Sequence, residues 1–149
     1  MIVWYEDDKL KIEFDREPKV GISYPYPFYS KCENKTLIEK CFTLKNDINV
    51  FITYKGKKYS FGIKNGYCWD GATIPRLFWR VIGSNTDPHF IIASMLHDVL
   101  CENHYFIQNN RYLSTLVLEK CLKVGGVGSF KRWLMKHSVD NFQKLYGKW

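Results

Sequence analysis

The segment Pro88-His89-Phe90-Ile91-Ile92-Ala93-Ser94-Met95-Leu96-His97-Asp98-Val99-Leu100-Cys101 limits the possible folds more than any other part of the chain. Asp87-Pro88 supplies a helix start, with Pro at the first helical position, where its missing N–H is no loss. From His89 to about Cys101 the apolar residues Ile91, Ile92, Met95, Leu96, Val99 and Leu100 cover most of the helical circumference. Such a helix needs burial on nearly all sides. His97 and Asp98 stand side by side in this oily stretch, and an unpaired buried charge is expensive. Adjacent helical positions diverge by about 100°, so the two side chains need separate partners unless a metal or a loop draws them together.

A loop upstream can supply those partners. Trp69-Asp70-Gly71-Ala72-Thr73-Ile74-Pro75-Arg76, followed by Phe78-Trp79, offers the Asp70 carboxylate, the Thr73 hydroxyl and a glycine that exposes backbone groups. Arg111 lies 13 residues beyond Asp98.

Before Asn65-Gly66 the chain has the period of strands. Val3-Trp4-Tyr5 and Leu10 to Phe14 flank the polar turn Glu6-Asp7-Asp8-Lys9. Ile48 to Tyr54, Lys55-Gly56-Lys57 and Lys58 to Ile63 make a β-hairpin, its arms filled with β-branched and aromatic residues. A further strand from Leu37 to Leu44 gives the three or more strands an independent sheet needs. Tyr24-Pro25-Tyr26-Pro27-Phe28-Tyr29 is expected as an extended loop, because its prolines exclude a helix or a central strand. After residue 66 the period changes to about 3.6. A second helix begins near Asn109-Asn110, runs through Leu113, Leu116, Val117 and Leu122, and stops at Gly125-Gly126. A third starts at Ser129 as N-cap and carries Phe130, Trp133, Leu134 and Phe142 towards Trp149. The expectation is one α+β domain over residues 1–149: an N-terminal antiparallel β-sheet (residues 1–64), a motif loop and short helix (65–88), then three or four packed C-terminal helices (89–149).

Composition removes several function classes. A domain near this length buries roughly 68–70% of the surface of its unfolded chain and needs no disulfide or structural metal. Cys32, Cys41, Cys68, Cys101 and Cys121 never form C-x-x-C, which excludes zinc ribbons and redox dithiols. Their odd number fits free thiols in a reducing cytoplasm, most of them acting as small core groups. No apolar run approaches the 18 or so residues of a membrane span, and Met1 to Asp8 is acidic where a signal peptide would be basic. Residues 120–149 carry Lys120, Lys123, Lys131, Arg132, Lys136, Lys144 and Lys148 against Asp140, a local charge of 7 − 1 = +6. This basic region is either a patch for nucleic acid, an anionic surface or an acidic partner, or a solvated helix face.

The loop from Asp70 to Trp79, the helix from Ala93 to Leu100 and the stretch from Arg111 to Gly125 or Gly126 resemble the phage-associated uncharacterised family DUF1353. Its pattern is an Asp-Gly-Ala-Ser/Thr-x-Pro-Arg-x-x-Trp segment, an Ala-x-x-x-His-Asp-x-Leu helix and an Arg-x-x-Ala-Asp helix. The resemblance covers roughly residues 50–147. One departure matters: the family's Asp after Arg-x-x-Ala falls on Thr115, with Ser114 in the Ala place. The resemblance implies a phage or prophage origin, hence the host bacterial cytoplasm or the virion, and a phage structural or host protein as partner. It carries no established activity.

The residues themselves suggest a hydrolase-like pocket. His97 is a candidate general base, since His titrates near neutral pH, and Asp98 or Asp70 can orient it or hold a hard divalent cation such as calcium. Arg76 and Arg111 can clamp a phosphate or carboxylate, with Thr73 as a further binding group, or can pair with Asp98 and Asp70. HD-domain phosphohydrolases need a further upstream His, and here none precedes His89. Phospholipase A2 enzymes show a similar order of glycine loop and His-Asp helix, but the cysteine preceding their His and their disulfides are missing here. Cys101 shares a helix face with His97, yet apolar surroundings argue against a reactive thiol. The competing reading is a non-enzymatic virion, tail-associated or host-interaction protein in which His97 and Asp98 only lock packing.

Overall fold

Alternation of apolar residues at every second position sets the strands. A computed structural model describes residues 1–23, 41–69 and 88–146. The expected loop at Tyr24 to Tyr29, the first part of the Leu37 strand and the motif loop from Asp70 to Trp79 lie outside those residues. Two compact units divide the chain, Met1–Asp70 and Gly71–Trp149.

In the first unit, β1 (Ile2–Glu6), β2 (Leu10–Phe14), β3 (Val20–Ser23), β4 (Cys41–Leu44), β5 (Ile48–Tyr54), β6 (Lys57–Ile63) and β7 (Cys68–Trp69) follow in chain order. They form two antiparallel sheets, ordered β1-β2-β5-β6 and β3-β4-β7. Leu10, Ile12 and Phe14 of β2 share the buried face with Ile48, Val50 and Ile52 of β5 and Phe61 and Ile63 of β6. The period-two pattern selected that face. A bulge at Trp4 shifts the β1 register between Val3 and Tyr5, and the Trp4 ring meets Phe14 edge-on at 5.4 Å.

The sequence suggests one sheet, and the structure has two. Lys45, Asn46 and Asp47 end β4 before β5 begins, and their groups are tied elsewhere. The Lys45 N–H donates to the Lys19 carbonyl, the Asn46 side chain accepts from the Lys19 N–H, and Asp47 accepts from the Asn65 N–H. Those bonds hold β4 beside β3 and β7, two short strands that periodicity is too brief to reveal. The Asp15 carboxylate accepts the Asn49 N–H at 2.7 Å, which holds its carboxyl below the usual range and fastens the end of β2 to β5.

In the second unit, α1 (Pro88–Glu102) leads through a short 3₁₀ turn at His104–Ile107 to α2 (Arg111–Val124), followed by α3 (Ser129–Tyr146). Helix α2 packs against both α1 and α3. Asn110 caps α2, its side chain accepting the Leu113 N–H at 3.0 Å. The helix ends in a Schellman motif: Gly126 has φ +80°, its N–H donates to the Lys123 carbonyl, and the Val127 N–H donates to the Leu122 carbonyl. One expectation for α3 needs correction. The Arg132 N–H donates to the Gly128 carbonyl, so Gly128 and not Ser129 is the capping residue. Phe130 and Trp133, two of the apolar residues that mark this helix in the sequence, point to solvent, while Val139 is buried. Apolar spacing marks a face without saying whether it is covered.

The hairpin turn gives a test. Lys55 and Gly56 both have positive φ, 49° and 80°, and Tyr54 pairs with Lys57, the geometry of a two-residue type I′ turn. A Cβ at Gly56 would meet no atom within 4 Å, so the cost of Gly56→Ala is the strain of a side chain at left-handed φ and not a clash. Urea unfolding should show a loss of about 1 kcal/mol.

Candidate functional site

Helix α1 has no solvent side. Every residue from Phe90 to Cys101 is buried, as the apolar circumference requires. Within this helix, Ser94, His97, Asp98 and Cys101 fall at i, i+3, i+4 and i+7, so that four polar or polarisable side chains form one stripe. His97 is 0% exposed and Asp98 4%. The Cys101 sulfur lies 3.8 Å from His97 Nδ1 and 3.7 Å from Nε2, so the thiol sits beside the ring without favouring either nitrogen. Ser94 donates to the Ile91 carbonyl at 2.8 Å, a bond inside its own helix turn.

Helix α2 has a similar interior. Ser114 donates to the Arg111 carbonyl at 2.7 Å and Thr115 to the same carbonyl at 3.4 Å. Both residues are buried, Thr115 to 1% exposure. Thr115 therefore sits at a buried position with its hydroxyl turned to the helix backbone.

Arg111 does not join His97 and Asp98. Its Nη1 donates to the Asp140 carboxylate and, at 3.3 Å, to the Asp140 backbone carbonyl, tying the start of α2 to α3. The partner was illegible in sequence because Asp140 lies 29 residues away on another helix. Asp70, Thr73 and Arg76 lie outside the described residues; of the expected set the structure describes His97 and Asp98, both buried on α1, and Arg111 on α2, and it adds Cys101 beside the His97 ring. Ser94 was missed at the sequence level, although its spacing from His97 and Asp98 carries the signal. Among the described residues no group of three or more His, Cys, Asp or Glu side chains is placed to hold a metal ion. Trp69 is buried, matching a core role, and Cys68, Cys101 and Cys121 are free buried thiols. Burial pushes the Cys121 thiol well up, away from reactive thiolate.

The basic C-terminal region is partly spent on local contacts. Lys136 pairs with Glu119 at 3.5 Å and stands 5.1 Å from the centre of the Tyr112 ring. Arg132 donates to the Val127 carbonyl at 3.0 Å. Lys123 and Lys131 remain exposed. No helix among the described residues is long and apolar enough to cross a membrane.

Complete burial lowers the His97 pKa from 6.5 to about 4, because desolvation disfavours the imidazolium. Above the unfolded value the ring is neutral in folded and unfolded chains, so its contribution is then fully present. As pH falls from 6.5 towards about 4, the unfolded chain takes up a proton that the folded chain refuses, and stability is lost. The loss reaches on the order of 3 kcal/mol at the bottom of that window. Urea unfolding across it should show a steeper decline for the parent than for His97→Gln.

Residues 44–139, nearly two-thirds of the chain, match the family described as a protein of unknown function, DUF1353. The chain is also similar to the uncharacterized protein y4jT of Sinorhizobium fredii (strain NBRC 101917 / NGR234), 38% identical over 52 residues. That match covers 30% of this chain, and the chain spans 16% of the length of that relative. No solved structure matches. With its strand-to-helix order, its buried His-Asp helix and this match over most of its length, the chain belongs to the DUF1353 family.

Proposed function

We propose that the chain is a phage- or prophage-encoded accessory protein, a virion-associated or host-interaction component, in which His97 and Asp98 serve packing and not turnover. The observation that supports this is their burial in a helix without a solvent side. A general base must lie within hydrogen-bond reach of the proton it removes from a bound substrate. A buried polar group with its partners in place instead specifies one arrangement of helices over others. The phage origin rests on the motif resemblance of residues 70–79 and 93–100.

The second reading is the hydrolase-like pocket, with His97 activating water and Asp70 and Asp98 orienting it or holding a cation such as calcium. One observation favours it: the imidazole is neutral near pH 7, the form a base needs. The same shift makes it a weak base, far from the operating pH at which such catalysis is most efficient. Thr115, in place of the family carboxylate, takes away a further oxygen ligand.

His97→Ala separates the two readings. A packing role predicts a loss of about 2–3 kcal/mol in thermal or urea unfolding, from the cavity and the groups left without a partner. A catalytic role predicts stability within about 1 kcal/mol of the parent and loss of turnover on ester or phosphoester reporter substrates. The expected result is the first.

Thr115→Asp tests the cation. A carboxylate at this buried position should destabilise by about 3 kcal/mol without metal. Titration calorimetry with calcium, zinc and manganese should show no binding to the parent or the variant. Affinity that appears with the new carboxylate would restore the metal-assisted hydrolase.

A further inference from the structure

Helix α3 turns a row of aromatic rings outward. Phe130 is 71% exposed and Trp133 54%, and His137 is exposed one turn further along. These positions, at i, i+3 and i+7, share one helix face, and Val139, which is buried, lies on the opposite one. The Phe130 and Trp133 rings stack at 6.3 Å with 23° between their planes, and Trp133 meets His137 at 4.6 Å. Exposed Lys131 flanks the row on one side, with Lys136 on the other beside exposed Tyr112. Large aromatic side chains held in water by a helix whose other face is packed are unusual unless something covers them.

Three occupants fit a basic aromatic face. Single-stranded nucleic acid needs ring faces free for base stacking, but Trp133 already meets Phe130 and His137 through its own ring. A second copy laid face to face would bring Lys131 near Lys131 under local charge of the same sign. An anionic lipid surface suits both features, since aromatic rings settle at headgroup depth while lysines meet the negative surface. We propose that the Phe130-Trp133-His137 face of α3, with Lys131 beside it, docks the protein on an anionic membrane surface.

The full chain tests this by flotation with vesicles of phosphatidylcholine alone and of phosphatidylcholine mixed equally with phosphatidylglycerol. Binding is expected to the phosphatidylglycerol vesicles and to fall as salt is raised. The double variant Phe130→Ser/Trp133→Ser should lose binding by about tenfold or more while keeping the parent's melting temperature, since both rings are exposed. Lys131→Glu should weaken binding without touching an aromatic ring. The proposal is overturned if the parent fails to float with phosphatidylglycerol vesicles, or if neither variant changes flotation. It is equally overturned if the aromatic variant instead abolishes binding to a single-stranded oligonucleotide or dissolves a dimer seen by sedimentation. None of these residues lies on the His97 helix, so the outcome is independent of the packing reading above.

Discussion

Burial of α1 on every side is the constraint from which the second unit follows. A fifteen-residue helix that is apolar over most of its circumference gains little from water along its sides, and each exposed leucine or isoleucine would forgo roughly 1.5–3 kcal/mol of transfer energy. Helix α2 answers part of that need. It presents buried residues from Leu113 to Leu118 and again at Cys121 and Leu122, and it is held in place at both ends, by the Asn110 cap and by the Gly126 Schellman turn. The Arg111–Asp140 pair then fastens α3 to α2. Each later element of the unit is positioned by the one before it.

Inside this apolar packing, polar side chains survive only where a bond is available. Ser94, Ser114 and Thr115 each find one in the carbonyls of their own helix, which leaves the helix sequence locally self-sufficient. His97 meets the Cys101 sulfur one turn further along the same helix. Its neutrality is the solution that desolvation enforces, and it makes the ring compatible with an interior that would reject its charged form. The stripe of Ser94, His97, Asp98 and Cys101 thus concentrates the chemistry of α1 on one line of the helix.

The surface of α3 obeys the opposite rule. Its outward residues are not the uniformly charged set of a solvated helix, for Phe130 and Trp133 occupy positions that lysine or glutamate would fill at no cost to the core. Lys136 is drawn towards Glu119 and Tyr112, so part of the positive charge of this region stabilises α3 against α2 and part, at Lys123 and Lys131, faces solvent. The net charge of residues 120–149 therefore overstates what is free to meet a partner.

Local pattern determined a great deal in this chain. The hairpin from Ile48 to Ile63, the proline start of α1, its burial, the asparagine and glycine ends of α2 and the family motif all depend on residues within a few positions of one another. Periodicity, capping chemistry and positive φ act over that range. Other features needed the tertiary structure. Whether Cys41–Leu44 joins the hairpin sheet or a second sheet depends on bonds from Lys19 and Asn65. Arg111 finds Asp140 across 29 residues, and the fate of Phe130 and Trp133 depends on which face of α3 its neighbour covers. An apolar residue records a preference for burial; the partner element that satisfies or denies it lies elsewhere in the chain, and only the assembled fold brings the two together.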